Sequence, residues 1–497
     1  MAASLSSSSN TPEQQESEQD QPMQHLVLIG GGHAHVQVIK ALNAAARPKN
    51  LDVTLIDAQT AASYSGMVPG CIAGQYTTDE TLIHIPPLAE WADMTFIHDR
   101  VVDIDFEEKL IYCRQRLGEP IEFDAVSIDI GSASRGLDKV PGAQQYTIPT
   151  RPIAQLVQKL DAARDELLEE QASSSSSSFQ PPRLVVVGGG AAGIELSMAI
   201  TTRWQTEGLD PHTTLLDTGT QLLPHESTQA REQLTTLLDE KKIVVRHECQ
   251  VERVEEDCVV LTNGDEIPFS YCVWATGAGA HPLAQHLSQR RGLDTTHHGW
   301  IQVSPTFQTL QYPHVFAAGD CAEIQGLPNG PPPKAGVFAV RAGPVLIENL
   351  TRFLMNNGQQ QQKDLIQYEP QQDYMKLLVC GNQQAFGMRF GMVLFGKWVF
   401  RMKDQIDQNF MELFRVDPNQ KPEDTAYNTA QYDDMTERDD PLPSAEEAAA
   451  LLQRQDDDVD FELAWAILRT MSQEEDYRRD ILRIVIPERD TVEVVST

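Results

Sequence analysis

The run Val-Val-Val-Gly188-Gly189-Gly190-Ala-Ala-Gly193 sets three glycines at G-x-G-x-x-G spacing between an apolar stretch and a helix-forming one. In that pattern the first glycine permits a tight turn, the second lets backbone approach a pyrophosphate, and the third lets helix and strand pack closely. The pyrophosphate then rests on the helix N-terminus, whose unpaired N–H groups and partial positive charge favour an anion. Asp217 closes the next apolar stretch, HTTLLD. A carboxylate there accepts hydrogen bonds from a ribose 2′-OH and repels a 2′-phosphate, which favours NADH over NADPH. The gap from Gly188 to Asp217 is longer than the ~20 residues usual for this pair, so strand capping is the competing role for Asp217.

A second candidate turn lies near the start, Gly30-Gly31-Gly32-His33-Ala34-His35. Gly30 and Gly32 fill the first two glycine positions, and His35 stands where the third belongs. An apolar run precedes it, a helical stretch follows, and Asp57 closes the next apolar run as a second ribose acceptor. His33 and His35 are two apart on a helix, so they point to different faces and form no metal pair. Two later segments belong with these turns. YCVWATGAG (271–279) reads as a strand ending in a glycine turn at Gly277, and VFAAGDCAE (315–323) sets Gly319 and Asp320 after a strand. An aspartate so placed can accept bonds from the ribityl hydroxyls of a flavin.

Positioning these residues takes repeated strand–turn–helix units. HLVLIGGGHAHVQVIKALNAAA followed by LDVTLID is one βαβ unit, and RLVVVGGGAAGIELSMAITTRW followed by HTTLLD is another. The fold class expected is α/β, with two Rossmann-like domains and a C-terminal α+β region. At 497 residues and ~150 per domain the chain holds about three units. The expected division is a disordered leader (1–24), a discontinuous first nucleotide domain (25–150 and 281–355), a second nucleotide domain (151–280) containing a mobile Ser/Pro connector (171–182), a C-terminal interface domain (365–415) and an acidic helical tail (416–497). A helix is expected to start near Lys334 or Ala335, and short strands leading into an amphipathic helix over 374–415.

The formal charge of -33 would repel nucleic-acid phosphates, which excludes nucleic acid as a partner. The seven cysteines form no C-x-x-C pair and read as buried free thiols in a reducing compartment. The Ser- and Gln-rich leader lacks an apolar core and lysine or arginine, so it resembles neither a signal nor a transit peptide, and no apolar run spans a bilayer. A cytoplasmic protein is expected. Between Phe386 and Phe414, Phe390, Phe395, Trp398, Phe400 and Phe410 interleave with Arg389, Lys397, Arg401 and Lys403. Such a segment can lie at a lipid interface as a peripheral membrane contact, or pack the third domain inward.

The order of motifs resembles the pyridine-nucleotide-dependent flavoproteins, in the branch of type II NADH:quinone dehydrogenases and apoptosis-inducing-factor-like reductases. GGGHAHV (30–36), YSGMVPGCIAGQYT (64–77), VSIDIGS (126–132), IPTRPI (148–153), PKAGVFAVRAGPVL (333–346) and WVFRMKDQIDQNFMELF (398–414) are similar to the NADH-dehydrogenase-like flavoproteins found alone or fused to selenide, water dikinase. The resemblance implies that Gly30, Gly32, Asp57, Gly131, Gly319 and Asp320 hold FAD, with Ser65, Gly66, Met67, Ala335, Gly336 and Val337 near the isoalloxazine. It implies that Gly188, Gly190, Gly193, Asp217 and Gly277 serve NADH. Glu195 matches a glutamate near the nicotinamide, or simply complements the helix dipole. Lys334 could stabilise negative charge on the flavin near N1, or be a solvent-exposed loop lysine. Hydride would pass from NADH to FAD and electrons on to a quinone or other small acceptor. The alternative is a redox-sensing or signalling protein of slow turnover.

Overall fold

The computed structural model describes residues 22–173, 179–356, 364–417, 419, 422 and 442–486. In chain order the elements that carry the argument are strand β1 (Gln24–Ile29), helix α1 (His33–Ala41), β2 (Leu51–Asp57), β3 (Thr95–His98), β4 (Ala125–Ile128), β5 (Ile148–Pro149), α2 (Ile153–Ser173), β6 (Arg183–Val187), α3 (Ala191–Thr206), β7 (His212–Leu216), β8 (Ile243–Arg246), β9 (Tyr271–Trp274), β10 (Val315–Ala317), α4 (Gly336–Met355), β11 (Lys376–Gly381), β12 (Gln384–Arg389), β13 (Met392–Gly396), α5 (Lys397–Glu412), α6 (Ala445–Leu452), α7 (Phe461–Gln473) and α8 (Glu475–Val485).

Strands β10-β4-β1-β2-β3 form one parallel sheet and β5-β9-β6-β7-β8 a second. Their apolar runs are near-continuous because parallel strands are covered on both faces. Leu26, Val27, Leu28 and Leu55 are wholly buried, each such side chain contributing ~1.5–3 kcal/mol relative to exposure. Helix α4 lies along α1, where Gln37 donates its amide to Val340 O at 2.9 Å. Gly343 makes room for that amide: a Cβ there would sit 2.5 Å from Gln37 Nε2.

The first sheet draws strands from 24–128 and from 315–317, so the chain leaves this layer, builds the second, and returns. Several expected boundaries move. The leader expected over 1–24 lies almost wholly outside the described residues, and Gln24 already belongs to β1. Ile148 and Pro149 pair with Val273 and Trp274, so the second layer begins before residue 151. The Ser/Pro connector is helical through Ser173, because α2 carries its apolar face (Leu156, Leu160, Ala163, Leu167) that far back along the second core; 174–178 lie outside the described residues.

The third layer is an antiparallel sheet β11-β12-β13 leading into α5. Trp398, Val399 and Met402 on α5 face a core completed by Ala448, Leu452, Ala464, Ile467, Leu468 and Ile481 of α6, α7 and α8. The expected appended tail is therefore, across 445–485, an integral part of this layer. Its ends are set by chemistry: Ser444 accepts from Glu447 N while the Glu447 carboxylate reaches back, a capping box, and Asp460 caps α7. The remainder of the tail, 423–441 and 487–497, lies outside the described residues. Trp398, Phe400, Phe410 and Phe414 are buried and Phe390 and Phe395 half-buried. The aromatics of 386–414 thus pack inward and present no lipid-facing stripe. Among the described residues no helix is long and apolar enough to cross a membrane.

Candidate active site

The first glycine turn opens into a cavity of about 560 Å³ whose lining includes Gly30, Gly31, Gly32, Asp57, Ser65, Gly131, Asp320, Lys334 and Gly336. Gly30 holds φ +88°, and a Cβ on it would stand 2.4 Å from Asp129 O. Asp57 ends β2 with its carboxylate accepting from Gly31 N at 2.5 Å and Gln59 N at 2.7 Å. That places an acid beside the turn, as a ribose acceptor requires, and a glycine turn leading into the N-terminus of α1 fits a dinucleotide such as FAD.

Asp320, after β10, accepts from Ser132 Oγ at 2.9 Å and pairs with Arg151 at 3.2 Å. Arg151 also lines the cavity and was not singled out from sequence. Lys334 is no solvent-exposed loop residue: its ammonium donates to Ala322 O and stands 4.4 Å from the Trp300 ring centre, and burial pushes its pKa down. Ala335 is the N-cap of α4, with Gly336 and Val337 in its first turn, one residue from the expected start. Met67 is buried at the start of the short helix Val68–Ile72. Gly319 holds φ +67°, its missing Cβ leaving room for Asp129 Oδ1.

His35, in the third glycine position, is wholly buried, with ring nitrogens 2.6 Å from Gly30 O and 2.7 Å from Ser127 Oγ. The imidazole thus ties helix to strand where a glycine would let them touch. Asp129 Oδ2 accepts from Ala34 N at 3.0 Å and His35 N at 3.2 Å. This buried carboxylate, pushed up to about 7 by burial, was overlooked in sequence, although an aspartate interrupting the apolar run VSI is a visible signal.

At the second turn the packing role of the third glycine is explicit: a Cβ on Gly193 would lie 1.8 Å from Gly188 O, and one on Gly188 would lie 2.3 Å from Ala275 O. Gly190 is the N-cap of α3 and faces open space. Asp217 follows β7, its Oδ2 3.2 Å from His247 Nδ1 and its carboxylate tight against Gly189. Gly277 turns the chain at φ +91° after β9.

Glu195 lies beyond the first turn of α3, so it does not serve as a first-turn complement to that helix's dipole. Its Oε1 accepts from Val379 N of β11 at 2.7 Å, fastening α3 to the third layer, and burial pushes its carboxyl up to about 7 against the pull of the Lys403 charge. Lys403 of α5 bonds Gly66 O at 2.5 Å and Asp407 Oδ2 at 2.5 Å, the pair 6% and 5% exposed. Tyr64 adds a hydrogen bond to Asp407 and packs on Phe410, ring centres 4.7 Å apart. Burial raises the Asp407 carboxyl, and Lys403 opposes that. The structure therefore brings Lys403, Asp407 and Tyr64 against the Ser65-Gly66-Met67 loop, with Glu195 close enough to feel the charges of Lys403 and Asp407. Lys403 and Asp407, four apart on the apolar side of an amphipathic helix, were legible as a pair and passed over.

Residues 24–343 match the family model described as "Pyridine nucleotide-disulphide oxidoreductase". The chain belongs to that family. It is an oxidoreductase, and FAD and NADH are consistent with both the family and the two glycine turns. The chain is 39% identical over 90 residues, 18% of its own length and 19% of the other's, to the "Probable NADH dehydrogenase" of Dictyostelium discoideum. It is 23% identical over 334 residues, 61% of this chain and 74% of the other, to the "Type II NADH:quinone oxidoreductase" of Haemophilus influenzae. In three dimensions it resembles NDH2 from Plasmodium falciparum, solved in complex with NADH, at TM-score 0.66 and 15% identity, covering 79% of this chain and 97% of that one. That likeness establishes the two-dinucleotide fold.

Proposed function

We propose that the protein is an FAD-dependent NADH dehydrogenase of the type II kind, delivering electrons to a quinone. The observation that carries this reading is the group of side chains at and beside the Ser65-Gly66-Met67 loop: protonatable Glu195, Asp407, Lys403 and Tyr64, and no thiol pair. All seven cysteines are free and buried. Cys71, the nearest in sequence, meets only the Thr78 hydroxyl at 3.9 Å, and burial raises its pKa. Disulfide exchange needs a thiolate and a partner sulfur, so electrons must leave to an external acceptor.

FAD, when bound, supplies hydride acceptance and onward electron transfer. The chain's own residues bind and orient. Gly30 to Gly32, Asp57 and Asp320 hold the flavin dinucleotide, and Gly188, Gly190, Gly193 and Asp217 hold NADH. Reducing a quinone to a quinol takes two electrons from NADH and two protons, one from NADH and one from solvent. Glu195, held near neutrality by burial, can keep and pass a proton beside that loop, while Lys403 fixes the loop through the Gly66 carbonyl. Steady-state reduction of a short-chain ubiquinone by NADH, compared with reduction of oxidised glutathione by NADH and with reduction of the quinone by sulfide in place of NADH, tests this. Turnover with NADH and the quinone alone supports it, and turnover with the disulfide as acceptor or sulfide as donor would replace it.

A further inference from the structure

Asp129 sits where the first dinucleotide turn should meet its anion. It is 3% exposed and lines the cavity. Its Oδ2 holds the N–H groups of Ala34 and His35, two of the free donors that α1 would otherwise present to a pyrophosphate. The carboxylate is clamped between the two turns: a Cβ on Gly32 would come within 2.4 Å of both its oxygens, and one on Gly319 within 2.4 Å of Oδ1. The glycine turn therefore already contains an acid when the anionic cofactor arrives.

The groups facing Asp129 do not neutralise it. Asp57 from the end of β2 and Asp320 from the turn after β10 add negative charge. Arg151 is engaged by Asp320, and the Lys334 ammonium by Ala322 O. On α1, His35 has both ring nitrogens bonded, and burial lowers His33 and His35 to about 4, so both are neutral. Cys321, beside Asp129, is a buried thiol pushed up to about 12 and likewise neutral. A pyrophosphate brought to this turn meets a fixed negative charge, and a solvent proton on Asp129 removes it.

We propose that Asp129 takes up a proton when FAD binds and, as the neutral acid, shares the α1 turn with the pyrophosphate, so that the protein holds its flavin more tightly as pH falls. This rests on the reading of the cavity as the FAD site. A carboxyl whose bound-state pKa exceeds its free-state value leaves affinity level below the free-state value and weakens it above. With Asp129 at about 7 before the anion arrives, the fall begins near pH 7.

The test dilutes full-length holoprotein at a series of pH values and reads FAD release by flavin fluorescence. Re-addition of FAD is then followed by calorimetry in two buffers of different ionisation enthalpy. The expected results are a Kd rising up to about tenfold per pH unit above neutrality and uptake of close to one proton per FAD. In Asp129→Asn, whose carbonyl can still accept from Ala34 and His35, the Kd should be flat with pH and proton uptake absent. The wild-type calorimetry stands even if that variant fails to fold. Binding of FAD without proton uptake overturns the inference and leaves the FAD site intact. Failure of FAD to bind at any pH overturns both.

Discussion

Replacing Lys403 by methionine removes the ammonium that sits between the Asp407 carboxylate and the Gly66 carbonyl, both 2.5 Å away. With the pair 6% and 5% exposed, water cannot take the place of the lost charge, and Asp407 is left buried without its counter-ion. Breaking a buried pair from one side costs about 3–5 kcal/mol. The double variant Lys403→Met/Asp407→Leu removes both charges and should cost only about 1–3 kcal/mol, chiefly for the unpaired Gly66 carbonyl. The single variant's loss should also shrink as pH falls, because Asp407, its carboxyl already raised by burial, can then be neutralised by a proton. Urea unfolding of the three proteins at about pH 5 and pH 8, followed by circular dichroism, measures each quantity. A single variant within about 0.5 kcal/mol of wild type, or a double variant no more stable than the single, would refute a buried ion pair at this loop.

Three other changes probe separate parts of the structure. Gly193→Ala drives a methyl toward Gly188 O, where a Cβ would stand at 1.8 Å, so NADH binding should be lost while bound flavin is retained; equal loss of both would contradict separate sites. Asp217→Arg should shift preference toward NADPH, read from the ratio of kcat/KM values for the two nucleotides, and an unchanged ratio would remove Asp217 from the ribose site. Glu195 binds its proton more tightly folded than unfolded, because burial raises it from 4.5 to about 7. Its stability penalty is absent below about pH 4.5, grows until about pH 7 and is constant above, so the stability difference between Glu195→Gln and wild type should change by about 3–4 kcal/mol across that window. A parallel pair of pH–stability curves would show that Glu195 does not carry that shift.

The two parallel sheets were legible because fully buried strands read as unbroken apolar runs, and the turns because glycine is the residue that tolerates their backbone. The places where sequence reasoning fell short involve contacts distant along the chain. Asp129 meets α1 across more than ninety residues, with |i−j| of 95 and 94 for its two bonds. Glu195 bonds Val379, 184 positions away, a contact that its spacing from the glycine turn could not show. The sequence left the aromatics of 386–414 open between a lipid interface and inward packing because their cover comes from far along the chain: Trp398 and Phe400 share a core with α6, α7 and α8, Phe386 packs in the core of the second sheet, and Phe410 and Phe414 in that of the first. The capping box at Ser444 and Glu447 marked the start of α6 in the sequence.

The central claim is that one chain carries hydride from NADH to a bound flavin and electrons onward to a quinone. Anaerobic titration of the dialysed protein with NADH, followed by a short-chain ubiquinone, tests it most directly through the visible flavin absorption band. The account predicts bleaching by NADH and prompt recovery on adding quinone. A band that bleaches and stays bleached would contradict the quinone acceptor, and a protein with no flavin band would contradict the account at its base.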